Sequence, residues 1–189
     1  MTDDNNGTNN ELNRIEVVFT ADEVQQRIQE LAKEIASSDL REALVIAILK
    51  GSFIFAADLI RALHTAGFSP QVDFITLSSY RKSTTSSGRV DIVRDIDIDI
   101  AGRDIVLVDD ILESGRTLHF AKTSLMKRQA RCVLSCVLLN KPHKRAVPIE
   151  ADFIAFECPD LFVVGYGMDK SYQYRQLPFV GYIPAKGEA

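Results

Sequence analysis

The sequence predicts an α/β fold with a central, mainly parallel sheet flanked by helices. Short apolar runs typical of covered strands alternate with segments whose apolar residues recur at helical spacing. Because consecutive parallel strands need crossover connections, this alternation indicates right-handed strand–helix–strand units with helices on both faces. The chain has 189 residues, 46% of them hydrophobic, so a single domain with its own core is expected.

Composition and charge narrow the classes of function. The formal net charge is −4 and no basic face is evident, so small-molecule partners are favoured over nucleic acid or an anionic membrane. Cys132, Cys136 and Cys158 are an odd number of thiols in apolar surroundings, which indicates reduced cysteines and a cytoplasmic location. The first ten residues do not resemble a signal peptide, and no run reaches the ~18 apolar residues of a spanning helix.

The N-terminal part consists of a polar tail and an amphipathic helix. Residues 1–13 have too few apolar side chains to offset the entropy of ordering, and we expect a disordered tail. Thr20 and Glu23 have the spacing of a capping box, which predicts a helix that ends near Ser37. Its apolar face is formed by Val24, Ile28, Leu31 and Ile35.

The next segments predict a buried strand, a helix and a second strand. Ala43–Leu49 is a continuous apolar run, which indicates a strand covered on both faces. After a break at residues 50–52, Phe53–Ala66 predicts an apolar helix that Gly67 caps. Val72–Leu77 alternates in polarity and predicts another strand.

The middle of the chain is polar and predicts a loop and a flap. Ser78–Gly88 collects hydroxyl and basic residues with almost nothing to bury, which predicts a mobile loop. Asp91–Ile100 alternates Asp with Ile or Val, the period of a half-exposed strand pair, with a turn at Ala101-Gly102. A hairpin-like flap is therefore expected here.

The remaining elements follow the same alternation. Ile105–Val108 predicts a buried strand that ends at Asp109-Asp110, and Leu118–Lys127 predicts a helix. Further strands are predicted at Cys132–Leu139, Phe153–Phe156 and Phe162–Val164.

The segment Val106–Leu118 combines two carboxylates with a turn suited to phosphate. Ligands of a parallel sheet collect at the carboxyl ends of strands, where helix N-termini present backbone N–H groups. Adjacent carboxylates accept ribose hydroxyls directly or through a hard cation, and residues 113–117 then offer two hydroxyls, a glycine and a cation. Asp109-Asp110 alone would also suit a solvated turn, but the whole string predicts a site for a phosphorylated sugar.

This string resembles the phosphoribosyl pyrophosphate loop of type I phosphoribosyltransferases, and residues from about Ile15 to Ile183 are similar to the hypoxanthine-guanine branch. The resemblance implies a Rossmann-like domain over residues 14–189, a small hood from its N- and C-terminal segments, and a flexible active-site loop. It implies a magnesium-dependent purine salvage enzyme that transfers phosphoribosyl to hypoxanthine or guanine. Family members are usually homodimers or homotetramers, which we carry over as an expectation.

The resemblance also implies functional residues. The donor would be bound by Lys50, Gly51, Ser79, Tyr80, Asp109, Asp110, Ile111, Leu112, Ser114, Gly115, Arg116, Thr117 and Arg175. The purine would be bound by Lys141, Phe162, Val163 and Asp169. Lys141 would donate to the 6-oxo group, Phe162 would offer a stacking face, and the backbone of Val163 would pair with the base edge. Magnesium would be held by Asp109, Asp110 and, through water, Asp169. Lys50-Gly51 falls in a loop whose peptide is often cis in the family.

Glu113 departs from the family pattern. The family generally places an aspartate here, proposed as the general base for purine N7, and Glu113 has the same chemistry with one more methylene. By the resemblance, Glu113 is the catalytic residue.

Two alternatives remain open at this point. One is a regulator that senses the ribose donor and binds RNA, which predicts a basic face. The other is a flavodoxin-like receiver in which Asp109-Asp110 would bind magnesium for phosphoryl transfer, which leaves residues 114–117 without a role. Taken alone, Lys141 reads as a surface lysine and Phe162-Val163 as core.

Overall fold

The computed structural model describes residues 15–79 and 90–184. The helices are α1 (Ala21–Ala36), α2 (Phe53–Thr65) and α3 (Arg116–Lys127), with a short 3-10 turn at Pro142–Lys144. The strands are β1 (Glu16–Phe19), β2 (Leu44–Leu49), β3 (Gln71–Ser79), β4 (Val90–Arg94), β5 (Asp104–Leu112), β6 (Cys132–Asn140), β7 (Phe153–Glu157), β8 (Val163–Val164) and β9 (Val180–Tyr182). The predicted tail and most of the predicted polar loop lie outside the described residues.

The central sheet confirms the predicted class. Its six strands run in the order β4-β3-β2-β5-β6-β7, and every neighbouring pair is parallel except β3 with β4. The chain passes from β2 outward to β3 and later returns to the other side of β2 as β5. Connections therefore diverge between β2 and β5, and such a switch point opens a crevice beyond the carboxyl ends of the strands.

Two apolar layers cover the sheet. Val45 and Ala47 of β2 face the layer that contains α1 and α2, whereas Leu44 and Ile46 face the layer that contains α3. All four are fully buried, which explains why β2 reads as a continuous apolar run rather than an alternating one. Among the described residues, no helix combines the length and apolar character that a membrane crossing requires.

The predicted helix signals are confirmed at α1 and α2. Thr20 Oγ1 accepts from Glu23 N at 3.3 Å, and Thr20 N donates to Glu23 Oε2 at 2.8 Å, which completes the capping box. After α2, Gly67 has a φ of +82° and donates its N–H to His64 O at 3.0 Å. That left-handed conformation suits glycine, which ends the helix as expected.

The predicted strand pair over Asp91–Ile100 is wrong beyond Arg94. Ile96 and Ile100 instead fold into the core beside α3. Acids of the segment bind the local backbone: Asp95 Oδ1 accepts from Ile96 N at 2.8 Å, and Asp99 Oδ1 accepts from Ala101 N at 3.2 Å. The alternation of Asp with Ile or Val therefore indicates Asx-type turns here rather than a pleated strand. The predicted turn at Ala101-Gly102 is confirmed, with a φ of +75° at the glycine.

Two further boundaries differ from prediction. β5 does not end at Val108 but continues through both acids to Leu112, pairing Leu112 with Asn140 of β6. Phe162 precedes β8, which belongs to a separate antiparallel sheet ordered β1-β9-β8. This sheet joins the N-terminal and C-terminal segments of the described chain, and it is where we place the predicted hood.

The three cysteines are free thiols, as expected for a reduced protein. Cys136 and Cys158 are buried, and Cys132 is half-buried. Burial raises the pKa of the Cys136 thiol, so this side chain stays protonated and packs as a small hydrophobe.

Candidate active site

A cavity of about 240 Å³ lies beyond the carboxyl ends of β2 and β5, at the switch point of the sheet. It is lined by Ile48, Leu49, Lys50, Gly51, Leu77, Asp109, Asp110, Ile111, Leu112, Glu113, Ser114, Gly115, Thr117 and Leu118. Ten of the residues that the sequence assigned to donor binding or catalysis therefore share one cavity. Its volume is below the usual range for small-molecule sites, roughly 300–1,000 Å³, so it suits one part of a substrate.

The loop after β2 approaches the acids with its backbone. The Leu49–Lys50 peptide is cis, so the cis bond lies one residue before Lys50-Gly51. A Cβ placed on Gly51 would lie 1.7 Å from Asp110 Oδ2, so a larger residue would force the Asp110 carboxylate to move. Ser52 Oγ donates to Ile48 O at 2.6 Å and closes the turn into α2.

Buried Asp109 and half-buried Asp110 form an acid pair that lines the cavity. Asp109 Oδ1 accepts from Asp110 N at 3.0 Å, and Asp110 Oδ1 accepts from Ile111 N at 2.9 Å. Burial raises the pKa of both carboxyls, and repulsion from Asp110 raises that of Asp109 further. For Asp110, hydrogen bonds and the Arg175 guanidinium oppose the effect of burial on the pKa. Hydroxyl donors or a hard cation would stabilise the ionised pair.

The turn after the acids leads into the N-terminus of α3. Gly115 has a φ of +80°, and a Cβ there would lie 2.6 Å from Ile149 Cγ2, so a side chain fits neither the backbone nor the space. Ser114 O accepts from the N–H groups of Ala146 and Val147 at 2.9 and 3.2 Å. The beginning of α3, with its unpaired N–H groups and positive dipole, thus borders the cavity.

Arg145 supports this turn and was missed by sequence reasoning. Its Nη1 donates to Glu113 O at 2.8 Å, and its Nη2 donates to Asn140 Oδ1 at 2.6 Å. The guanidinium therefore ties the turn to the end of β6. The only signal in the sequence is the basic segment 141–145, which does not show that one cation turns inward.

Lys141 and Glu113 lie side by side at the edge of the cavity. Lys141 is 5% exposed, which contradicts its interpretation as a surface lysine. Its Nζ donates to Leu161 O at 2.6 Å and lies 3.9 Å from Glu113 Oε1. An ammonium has three N–H groups, so at least one remains for a ligand.

The segment after Leu161 presents an exposed ring beside a buried strand. The side chain of Phe162 is exposed, whereas Val163 is buried in β8 and pairs with Tyr182 of β9. Phe162 is therefore free to stack on a flat ligand while its neighbour fixes the backbone. The interpretation of Phe162 as core is wrong.

Asp169 and Arg175 form an ion pair on the other side of the Lys50-Gly51 loop. Arg175 Nη2 lies 2.7 Å from Asp169 Oδ1, and Asp169 Oδ2 accepts from Tyr172 N at 2.7 Å. Asp169 does not join Asp109 and Asp110 in one ligand set: within the described residues, no three His, Cys, Asp or Glu side chains converge on a common metal position.

Three of the described donor residues predicted from the sequence, Ser79, Arg116 and Arg175, lie outside the cavity lining. Arg116 lines a separate groove along α3 with Ile92 and His119, and its N–H contacts Ser114 Oγ at 3.4 Å. Ser79 is the last residue of β3, and Tyr80 lies outside the described residues.

Comparison with known proteins gives the family. Residues 18–171 match the phosphoribosyl transferase domain. The chain is 41% identical over 167 residues to the hypoxanthine-guanine phosphoribosyltransferase of Bacillus subtilis, covering 87% of this chain and 91% of the relative. It is 39% identical over 173 residues to hypoxanthine phosphoribosyltransferase of Escherichia coli K12, covering 88% and 94%. The hypoxanthine phosphoribosyltransferase structure from Staphylococcus aureus aligns with a TM-score of 0.86 at 32% identity, covering 99% and 100%. The chain therefore belongs to the phosphoribosyltransferase family and has the type I fold of that family.

Proposed function

We propose that this protein is a purine salvage enzyme that transfers the 5-phosphoribosyl group from phosphoribosyl pyrophosphate to hypoxanthine, guanine or both. One observation carries the proposal: the Asp109-Asp110 pair, the turn into α3 and Glu113 line one cavity at the switch point, with the Lys141 ammonium 3.9 Å from the Glu113 carboxylate. Relatives with these named activities are about 40% identical over most of the chain, which supports the same assignment.

The donor is assigned to the cavity and its rim. The 5′-phosphate lies in the turn of Ser114, Gly115, Arg116 and Thr117, with Ile111 and Leu112 contributing backbone. Asp109 and Asp110 accept the ribose hydroxyls. The pyrophosphate is held by the Lys50-Gly51 backbone and Arg175, because Gly51 lies against Asp110 and Arg175 lowers the pKa of that acid against the effect of burial.

The purine is assigned to the space between Lys141, Glu113 and Phe162. The Lys141 ammonium donates to the 6-oxo group, and a 6-amino group would not accept that bond. Phe162 stacks on the ring, and Val163 pairs with the base edge through its backbone. Glu113 takes the proton from N7 as general base. Its carboxylate lies beside the Lys141 ammonium, which is assigned to the 6-oxo group.

Magnesium fits the donor set of this site. Asp109, Asp110 and Asp169 offer hard oxygen ligands, and magnesium is usually bound by one or two carboxylates together with substrate phosphates and water. Since the described residues form no cluster of three ligands, the protein would hold the ion through these few carboxylates and the donor's own oxygens. When bound, the ion would neutralise charge on the departing pyrophosphate.

The chain's own residues act mainly by positioning and by excluding water. Departure of pyrophosphate leaves an oxocarbenium-like carbon that N9 of the purine attacks, and fixed dipoles at the start of α3 and at Gly51 hold the charged groups in place. The loop that begins at Ser79-Tyr80 follows β3, next to β2, and is assigned as the lid that shields this carbon.

The alternatives are less well supported. A donor-sensing RNA-binding regulator would share the donor loop but would not require a buried cation beside Glu113, and the matched relatives carry enzyme names. The parallel strand order β3-β2-β5-β6-β7 is also that of flavodoxin-like receivers. A receiver would give no role to the glycine turn at Gly115 or to Lys141.

A steady-state assay tests the proposal. The purified protein is mixed with phosphoribosyl pyrophosphate, magnesium and hypoxanthine, guanine, xanthine or adenine, and nucleotide formation is followed by absorbance. We expect nucleotide from hypoxanthine or guanine, and at least a hundredfold lower kcat/KM with adenine, because a buried donor would be left unpaired. Absence of nucleotide with every base would reject the function, and an RNA gel shift would then test the regulator.

Assembly and location are part of the same proposal. We propose a homodimer or homotetramer in the cytoplasm, with small-molecule substrates and neither nucleic-acid nor membrane partners. Sedimentation equilibrium measures the assembly state directly, and a purely monomeric species at micromolar concentration would contradict it.

A further inference from the structure

A tyrosine–carboxylate contact joins α2 to the turn that precedes Asp169 and Arg175. Tyr166 Oη donates to Asp58 Oδ2 at 2.5 Å, and Tyr166 is 5% exposed. Asp58 lies in the middle of α2, the helix that follows the Lys50-Gly51 loop, and its other carboxylate oxygen pairs with Arg61. The contact therefore connects two segments that both lead to the pyrophosphate side of the site.

The backbone at Tyr166 is held in a conformation that such a residue avoids. The φ angles of Gly165, Tyr166 and Gly167 are +94°, +49° and +99°, three successive left-handed residues. Glycine adopts this region freely, whereas a bulky residue does so only where its surroundings enforce it. The Tyr166 side-chain bond to Asp58 and the Tyr166 N–H bond to Leu177 O, at 2.9 Å, supply that enforcement.

The turn is packed directly on the pyrophosphate loop. A Cβ on Gly167 would lie 2.3 Å from Gly51 O, and a Cβ on Gly51 would lie 1.7 Å from Asp110 Oδ2. Turn, loop and acid thus form a stack with no room for a methyl group at either glycine. A shift of the turn would therefore move or release the backbone of Gly51.

The same turn orients the Arg175 cation. Gly167 N donates to Arg175 O at 2.9 Å, and Arg175 Nη1 donates to Gly167 O at 2.6 Å. The second terminal nitrogen, Nη2, pairs with Asp169. Arg175 is thus fixed at both its backbone and its side chain by the residue that follows Tyr166.

We propose that Asp58 and Tyr166 are positioning residues for pyrophosphate binding: their contact fixes the turn at residues 165–167 and, through it, Gly51 and Arg175. Neither residue lines the cavity around the acids, so they act through the turn rather than on the substrate. The inference rests on the proposed function. It assigns Asp58 and Tyr166 a role in binding the donor and none in binding the purine.

The test compares Tyr166→Phe and Asp58→Asn with the unaltered protein. Steady-state kinetics give KM for phosphoribosyl pyrophosphate and for hypoxanthine, and calorimetry gives Kd for magnesium pyrophosphate. Loss of a charge-assisted hydrogen bond corresponds to about a tenfold change, so we expect donor KM and pyrophosphate Kd to rise about tenfold. KM for hypoxanthine is expected to stay within about twofold.

Tyr182→Phe is the matched control. Tyr182 Oη donates to Glu16 Oε2 at 2.5 Å in the separate three-stranded sheet, the same kind of bond away from the pyrophosphate loop. This variant should leave donor KM and pyrophosphate Kd unchanged. The double variant Asp58→Asn/Tyr166→Phe should be no worse than the more affected single variant, because both remove one shared contact.

The outcomes separate the inference from the function. If donor KM and pyrophosphate Kd stay constant in Tyr166→Phe, or if both KM values rise equally as the melting temperature falls, the positioning role is overturned. If the unaltered protein forms no nucleotide, the proposed function fails. Calorimetry then still decides the inference: pyrophosphate binding that weakens in Tyr166→Phe supports it, whereas equal binding or none in the unaltered protein overturns it.

Discussion

At the residue scale, the length of the Glu113 side chain determines how close its carboxylate lies to Lys141. The side chain is long enough for Oε1 to lie 3.9 Å from Lys141 Nζ, so the proposed base and the proposed 6-oxo donor contact each other before any ligand is bound. A neutral glutamine keeps the length but cannot take a proton from the purine. The chemistry assigned to Glu113 therefore depends on its charge rather than on its shape.

Glu113→Gln should lower kcat by at least about a hundredfold, the usual contribution of a general base. Glu113→Asp should retain kcat within about tenfold, because the carboxylate remains and only its reach changes. Steady-state kinetics at saturating substrates measure both, and Glu150→Gln, an exposed glutamate, is the control. Equal kcat in the Gln and Asp variants would show that Glu113 is not the base.

At this scale the sequence predicted the residues that line the cavity but not their supports. A short string such as Asp109–Thr117 carries its chemistry in local order, so it is readable without a structure. Arg145 and the carbonyl of Leu161 act across the fold, the first on Glu113 O and the second on Lys141 Nζ. Nothing in their neighbours along the chain marks such long-range contacts.

At the scale of elements, the turn into α3 is held by the segment that follows β6. Arg145 Nη1 binds Glu113 O, and two backbone N–H groups of residues 146 and 147 bind Ser114 O. The sequence predicted strand and helix on either side of the turn because each has a strong period. It gave a wrong strand pair over Asp91–Ile100, where two acids of the period-two pattern, Asp95 and Asp99, accept nearby backbone N–H groups.

Arg145→Met should raise KM for phosphoribosyl pyrophosphate about tenfold, because Glu113 O and Asn140 Oδ1 both lose a charged donor. The protein should remain folded, since the backbone bonds to Ser114 O persist. The control is Arg128→Met, which removes an ion pair with Asp95 on the surface behind α3. Donor KM unchanged in Arg145→Met, or raised equally in both variants, would contradict a specific role for Arg145.

For the whole molecule, the sheet order decides where chemistry can occur. The crevice exists because connections diverge between β2 and β5, and Gly51 in the loop after β2 meets there the acid pair near the carboxyl end of β5. Alternating strands and helices predicted a parallel sheet but not its order, because order depends on which strands pair over long distances.

Asp152 joins α3 to the central sheet on one of its faces. Its Oδ2 accepts from Ser135 N at 2.7 Å, from Ser135 Oγ at 2.8 Å and from Lys122 Nζ at 3.1 Å, which joins β6, α3 and the start of β7. Burial raises the pKa of Asp152, but these hydrogen bonds lower it more, so the net pKa lies below the ordinary value. A lowered folded pKa means that the stabilisation is complete above the unfolded pKa and is lost as pH falls through the folded pKa.

Asp152→Asn should therefore reduce the free energy of unfolding by about 1 kcal/mol at neutral pH, a value kept small because the side chain is partly exposed. The difference from the unaltered protein should shrink as pH falls below about 4, where the unfolded state becomes protonated, and should be lost once pH passes the lower folded pKa. Urea unfolding followed by circular dichroism between pH 7 and pH 3 measures the difference at each pH. A difference that stays constant to pH 3 would show that the charge of Asp152 contributes nothing to joining these elements.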